Sequence, residues 1–291
     1  MSIHSQILHN GEIRHASEPA FRAGQLGLLA GWGIFTTLRV AEGSLFAWER
    51  HWARLSRDAR MMNVAMPGSA DELEDKLLRL IAANGRPNCT LRLVIVRNSG
   101  GMWESASSGP ASDVIAMTAD SKAWGESARL SIQPNGRFAA CEFAGAKINS
   151  WGQNLAWAER AHDAGFDETI LLNERGTVAE CTSANIFSVT GSTVWTPPQS
   201  DGCLGGITRE VLLSELRLDG VALSERSLTM EDLYGADEVF ITSTTRDLMP
   251  VSEIAGRSLN RVSTVRLRIA AAFREFVAQD IARRKPVTVR A

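Results

Sequence analysis

Between Lys147 and Asn185 the sequence sets two ionisable residues at the ends of a compact helix–strand unit. Lys-Ile-Asn-Ser-Trp opens the stretch and Val-Ala-Glu-Cys-Thr-Ser-Ala-Asn closes it. The pattern predicts a helix over Trp151–Ala164, stopped by Gly165, and a short apolar strand over Thr169–Leu172. Lys147 follows Gly145-Ala146, which leaves room beside its amine. Burial lowers a lysine pKa and frees its lone pair, so a buried Lys147 is expected to be a nucleophile. Glu180 lies among small and β-branched residues. It is expected to be buried and to need a cationic or hydrogen-bonding partner.

The rest of the chain mixes strands and helices without a regular βαβ alternation, which predicts an α+β fold. Asn10-Gly11 inside Gln6–Ile13 signals a hairpin. A strand over Ile34–Val40 is expected to turn at Glu42-Gly43 and pair with Leu45–Trp48. Two helices follow, one with Trp52, Leu55, Ala59 and Met62 on one face, the other over Leu73–Ala83 with Ser69 or Asp71 as its cap. Further strands are expected at Leu91–Val96, Val114–Thr118, Leu130–Gln133, Ile186–Val189, Val194–Thr196 and Val239–Thr242. Turn residues mark Asn98-Ser99-Gly100-Gly101. Helices are expected over Ile207–Leu216 and Arg261–Ile281, and the basic tail Arg283–Ala291 is expected to fray. Ala119–Ser127 is polar and aperiodic, so the expected domains are 1–120 and 128–291, joined by a linker at 121–127.

Composition removes several classes of function. A net charge of −2 over 291 residues carries no signal for nucleic acid, and no apolar run reaches the roughly 20 residues that span a membrane. Cys89, Cys141, Cys181 and Cys203 are scattered with no Cys-x-x-Cys pair, so no metal site is expected and reduced thiols in a cytoplasm are. No P-loop, dinucleotide fingerprint or Ser-His-Asp set is legible.

What remains suits an anionic ligand. Gly205-Gly206-Ile207-Thr208-Arg209 is a glycine turn entering a helix, where free N–H groups and the helix dipole favour a phosphate. Ser243-Thr244-Thr245 follows a strand and offers hydroxyls and amides. Arg54 lies on a half-apolar helix and has the fork geometry for phosphate. A lysine amine, a carboxylate, two phosphate loops and an arginine are what a phosphorylated pyridine aldehyde needs.

With these residues in order, the chain resembles the fold-type IV (class IV) pyridoxal-phosphate enzymes, the family of branched-chain aminotransferase, D-amino-acid aminotransferase and 4-amino-4-deoxychorismate lyase. The matching segments are Gly33–Arg39, Arg50–Leu55, Lys147 with its helix, Asp167-Glu168, Val178–Phe187, Leu204–Arg209 and Ser243–Val251. The resemblance implies a two-domain α+β enzyme, with a small N-terminal α/β domain and a larger C-terminal domain built on a mixed, barrel-like sheet. It implies pyridoxal 5′-phosphate as cofactor, an amino acid and a ketoacid as small-molecule partners, and a homodimer. Lys147 resembles the Schiff-base lysine and proton carrier, and Glu180 the acid facing the pyridine nitrogen. Arg54, Ile207, Thr208 and Thr244 resemble the phosphate cup. Thr245 falls where an amide meets the substrate carboxylate. Arg97 is expected as a second carboxylate anchor with Arg92 as its rival, since alternation puts the two on opposite faces of a regular strand. Thr36 and Trp151 fall at substrate-lining positions.

Two substitutions separate the chain from the familiar branched-chain pocket. Phe35-Thr36-Thr37 stands where those enzymes read Phe-Glu, as in the lyases. Trp151 is nearest the place of a tyrosine, and Tyr234 is the chain's single tyrosine. The expected activity is an aminotransferase acting on a small amino acid, branched-chain or related, with release of pyruvate and 4-aminobenzoate by a lyase as the alternative.

Overall fold

Two sheets organise the computed structural model, which describes residues 2–21, 24–98, 100, 109–259 and 264–284. Its backbone contacts form two units. The first comprises residues up to Lys122, Ala146–Trp151 and the chain from Val277; the second comprises Ala123–Gly145 and Gly152–Phe276.

The first unit holds β1 (Ile3–His9), β2 (Glu12–His15), β3 (Gly33–Ala41), β4 (Ser44–Leu45), β5 (Cys89–Arg97) and β6 (Ser112–Ala119) in the order β2-β1-β6-β5-β3-β4, every pair antiparallel. Asn10 and Gly11 both take positive φ, as the expected hairpin requires. The short helix α1 (Leu26–Ala30) had no clear signal in the sequence. Helices α2 (Trp48–Met61) and α3 (Ala70–Asn84) follow. Ser69 caps α3 in a capping box with Glu72. The expected partner strand Leu45–Trp48 is cut to two residues, because α2 already starts at Trp48. Ala47 marks the switch with φ 53°, and its N–H donates to the Asp280 carboxylate at 2.9 Å.

Strand alternation builds the core of this unit. Ile34, Leu38, Leu91, Leu93 and Ile95 pack with Leu55, Leu73, Leu77 and Leu80 of the helices. Phe35, Thr37 and Arg92 therefore lie on the opposite face, since Thr37 stands across from Arg92 in the β3–β5 ladder.

The second unit is a mixed sheet: β12 (Ala222–Glu225), β11 (Thr193–Thr196), β10 (Asn185–Thr190), β13 (Glu238–Ser243), β14 (Asp247–Ile254), β7 (Ala128–Gln133), β8 (Glu168–Leu172) and β9 (Val178–Cys181), with β15 (Arg257–Ser258) paired to β14. The β11–β12, β14–β7 and β7–β8 pairs are parallel. Helices α4 (Gly152–Asp163), α5 (Ile207–Ser214) and α6 (Met230–Gly235) belong here, and α7 (Thr264–Arg283) supplies residues to both units. One face buries Leu130, Ile170, Val178, Ile186, Ile241 and Val251 together. No helix of the described residues is long and apolar enough to cross a membrane.

The division by contacts starts inside the expected linker, at Lys122, but it also returns Ala146–Trp151 to the first unit. Backbone pairing is the reason: Phe35 N–H donates to the Lys147 carbonyl at 3.0 Å and Asn149 N–H to the Gly33 carbonyl at 2.9 Å. The expected turn at 98–101 includes Ser99 and Gly101, and the expected last helix includes 261–263; these lie outside the described residues, as does the tail from 285.

Candidate functional site

The candidate residues divide between the units. Arg54, Thr36, Arg92, Arg97, Lys147 and Trp151 belong to the first, and Glu180, Ile207, Thr208, Thr244 and Thr245 to the second.

In the first unit, the segment after Gly145 pairs with the start of β3, with Ile148 bridged to Ile34. Lys147 is thus set opposite Phe35 and on the same face of the sheet. Its backbone N–H donates to Asp58 at 3.0 Å. Its amine nitrogen lies 4.5 Å from the Phe35 ring centre and 5.5 Å from that of Trp151. The two rings meet edge to face at 5.7 Å. Lys147 is half-buried rather than buried as expected, because its strand-like segment runs along the sheet margin.

Arg92 joins this cluster, its guanidinium 4.0 Å from the centre of the same Phe35 ring. Burial holds its pKa below the usual arginine value. Among the described residues it has no hydrogen-bonded or acidic partner. Arg97 leaves the strand on the other side: it donates to the Asn63 carbonyl at 2.7 Å and lies over Trp32. Of the two rivals, the structure groups Arg92 with Lys147.

Thr36 stands on the core face of β3 and is fully buried. Its hydroxyl accepts from Arg54 Nη2 at 2.8 Å and meets His51 Nδ1 at 2.7 Å. It therefore orients Arg54 instead of lining the face that carries Phe35 and Lys147. Burial first, and then the nearby charges of Arg54, Lys147 and Arg284, push the His51 pKa well below the usual value. A neutral imidazole follows.

In the second unit Glu180 is buried on β9, as expected. Arg137 Nε donates to one carboxylate oxygen at 2.9 Å, and the Leu204 amide donates to the other at 3.1 Å. Arg137 also donates to Asn154, whose side-chain amide donates to the Thr182 carbonyl at 2.7 Å. The acid is thus oriented from two directions by charge-assisted bonds.

Helix α5 begins at Ile207 with no side-chain cap, so its first-turn N–H groups have no intrahelical acceptor. Gly206 is needed there: a Cβ at that position would fall 2.0 Å from Asn185 Oδ1. Thr208 is buried and its hydroxyl has no partner among the described residues. A buried orphan hydroxyl beside uncapped amides is a place for an anion with several acceptor oxygens, which is what a phosphate supplies. Thr244 and Thr245 form the turn between β13 and β14. The pyridoxal phosphate implied by resemblance therefore fits the donors present.

Several residues of this unit had no signal in the sequence as functional groups. Arg137 is a loop arginine among many, and Trp124 lies in the expected linker, yet its indole N–H donates to the Thr245 carbonyl at 2.8 Å. Arg246 and Glu168 form a buried ion pair at 3.1 Å. Among the described residues no group of His, Cys, Asp or Glu is arranged to hold a metal ion.

Comparison with known proteins places this geometry in context. The model of the amino-transferase class IV family matches residues 33–254. A putative branched-chain-amino-acid aminotransferase of Methanocaldococcus jannaschii is 32% identical over 259 residues, covering 88% of this chain and 90% of its own. A D-alanine aminotransferase of Bacillus licheniformis is 28% identical over 258 residues, covering 87% and 90%. Among solved structures, the branched-chain aminotransferase of Thermoproteus uzoniensis with norvaline superposes with a TM-score of 0.86 at 28% identity, covering 95% of this chain and 96% of that one.

Proposed function

The chain belongs to the class IV aminotransferase family, and we propose that it moves an amino group between a small amino acid and a ketoacid, with pyridoxal 5′-phosphate as cofactor. The observation that carries this reading is the setting of Lys147, whose amine faces Phe35 and Trp151 while Arg92 covers the same Phe35 ring. When bound, the cofactor supplies an aldehyde that condenses with amines and a cationic ring that draws electron density from the substrate's Cα.

Lys147 would hold that aldehyde covalently. Its Nζ, when free, would be the base that takes and returns the substrate's Cα proton, general acid–base work worth roughly 10²–10⁴-fold. Glu180, oriented by Arg137 and the Leu204 amide, would accept from the ring nitrogen. Arg54, Ile207, Thr208 and Thr244 would hold the phosphate. Arg92, on the Lys147 face, and the Thr245 amide would hold substrate carboxylate, with Trp151 as an apolar wall. The Phe35 and Trp151 wall carries no phenol, and the chain's single tyrosine, Tyr234, lies under the Arg257 guanidinium. Substrate aliphatic carbons suit such a wall. Family resemblance supports a homodimer, and four unpaired cysteines support a reducing cytoplasm.

Half-reactions test the reading. The purified holoenzyme is expected to show the visible band of a lysine-bound pyridoxal and to lose it on mixing with one or more members of a panel of small L- and D-amino acids. A protein that takes up no cofactor overturns the reading. A protein that leaves every amino acid unchanged but releases pyruvate from 4-amino-4-deoxychorismate is a lyase instead.

A further inference from the structure

The turn proposed to hold phosphate and carboxylate is tied down by a buried ion pair that none of the assigned roles uses. Arg246 follows Thr245 directly. Its guanidinium, with its side chain 7% exposed, meets Glu168, 3% exposed, at 3.1 Å. It stacks on the Trp124 ring at 3.9 Å and donates to the Ser183 hydroxyl at 2.7 Å. A guanidinium taken out of water needs each of these partners.

The same contacts fix the backbone of the turn. The N–H of Arg246 donates to the Ser243 hydroxyl at 3.2 Å and to the Ser243 carbonyl at 3.3 Å. At the other end of that peptide, the Thr245 carbonyl accepts from Trp124 Nε1 at 2.8 Å. The peptide joining Thr245 to Arg246 is therefore held at both its oxygen and its nitrogen, which sets the orientation of the peptide before it.

Glu168 carries the connection further. It accepts from the hydroxyls of Thr182 and Ser183 and from the Thr169 N–H. Thr182 and Ser183 lie two and three residues after Glu180 on the chain. One carboxylate thus anchors both the arginine of the 243–246 turn and the segment that follows Glu180.

We propose that Arg246 and Glu168, with Trp124 as their platform, are positioning residues that set the Thr244–Thr245 turn for carboxylate binding. The proposal rests on the assignment of that turn to substrate carboxylate given above. They touch neither substrate nor cofactor in it. Their effect is on affinity, because the turn binds the carboxylate while Lys147 moves the proton.

The test uses the holoenzyme with 4-methylpentanoate, a carboxylate with no amine to react. Glu168→Gln and Arg246→Ala are expected to weaken its binding by on the order of ten- to a hundredfold, the scale of a displacement of about 1 Å in a binding group. In Arg246→Ala, KM for the amino donor rises in parallel, while the single-turnover rate at saturating donor stays close to wild type. Arg246→Lys recovers part of the affinity. Unchanged affinity in both variants, or a loss of saturating rate at unchanged affinity, overturns the proposal. Trp124→Phe decides the case if Arg246→Ala does not fold: it keeps the stacking surface and removes the N–H to Thr245, so its carboxylate affinity must fall, and an unchanged value is equally fatal. A wild-type protein without the visible band removes both this proposal and the assigned function, whereas a wild type with the band and insensitive variants removes this proposal alone.

Discussion

Around the candidate site residues the two units treat charge differently. In the first, basic groups stand on aromatic rings: Lys147 and Arg92 share Phe35, and Arg92 has no acidic partner among the described residues. In the second, acids are locked into place: Glu180 is held by Arg137 and an amide, and Glu168 by Arg246 and two hydroxyls. A cation on a ring keeps its charge available to a ligand at little packing cost, since a ring face attracts it without neutralising it. A carboxylate fixed by charge-assisted bonds is committed to one geometry. The first unit thus leaves a cationic group open to an anionic ligand, and the second holds its acids in fixed orientations.

That contrast can be broken most severely at Lys147. Lys147→Ala is expected to abolish the visible band of the holoenzyme and to lower the half-reaction rate by at least about 10²–10⁴-fold. Stopped-flow absorbance measures both, and a variant that retains the band and the rate removes Lys147 from its role. Arg92→Met comes next. It keeps the apolar contact with Phe35 and loses the charge, so KM for the amino donor should rise by the equivalent of about 1.5–3 kcal/mol, the worth of a hydrogen bond to a charged group. The same change in Arg97 should leave KM near wild type, and the reverse outcome would restore Arg97 as the anchor.

His51 sharpens the comparison from the side of stability. Its burial among positive charges depresses its folded pKa below the unfolded value of 6.5. Below that value the unfolded chain binds a proton that the folded chain refuses, so stability falls as pH falls, by at most about 1.4 kcal/mol per pH unit for one group. Above it the contribution is constant. Urea midpoints at pH 7 and pH 5 should therefore differ less in His51→Gln than in wild type; an equal difference means His51 is not the group responsible. The smallest effect is expected at Thr208. Thr208→Val removes a buried hydroxyl with no partner among the described residues. Cofactor affinity should drop by about 0.5–1.5 kcal/mol while the melting temperature of the cofactor-free protein holds or rises. A cofactor titration beside a thermal scan separates the two, and a fall in both would mean the hydroxyl serves the fold.

Local signals in the sequence were strong where the physics is local. Asn10-Gly11 takes the positive φ of a hairpin turn, and Ser69 with Glu72 closes the capping box of α3. Strand β14 was missed because Pro250 sits in its middle and a proline cannot donate to a ladder. The structure accommodates it: Pro250 stands opposite Phe240, and the pairing with β7 begins only at Val251. Thr36 was assigned to substrate by its place in a motif, but a strand has two faces and its register turns that hydroxyl toward Arg54 and His51. Trp124 lies in a polar stretch with no periodicity, and its packing against the second unit's core leaves no local signal.

What the sequence by itself determined is the kit of groups and their order: a lysine, an acid, a glycine turn into a helix, and a hydroxyl-rich turn after a strand. These depend on residue type and short spacing, which the chain carries openly. Tertiary structure alone decided which arginine accompanies Lys147 and what holds the acids in place. Arg92 and Arg97 differ by an odd number of residues on one strand, so only the ladder register assigns their faces. Arg137, Arg246 and Trp124 lie 43, 78 and 121 residues from Glu180, Glu168 and Thr245, the groups they bind. No local pattern spans such separations; buried charges find their partners only when folding removes the water between them.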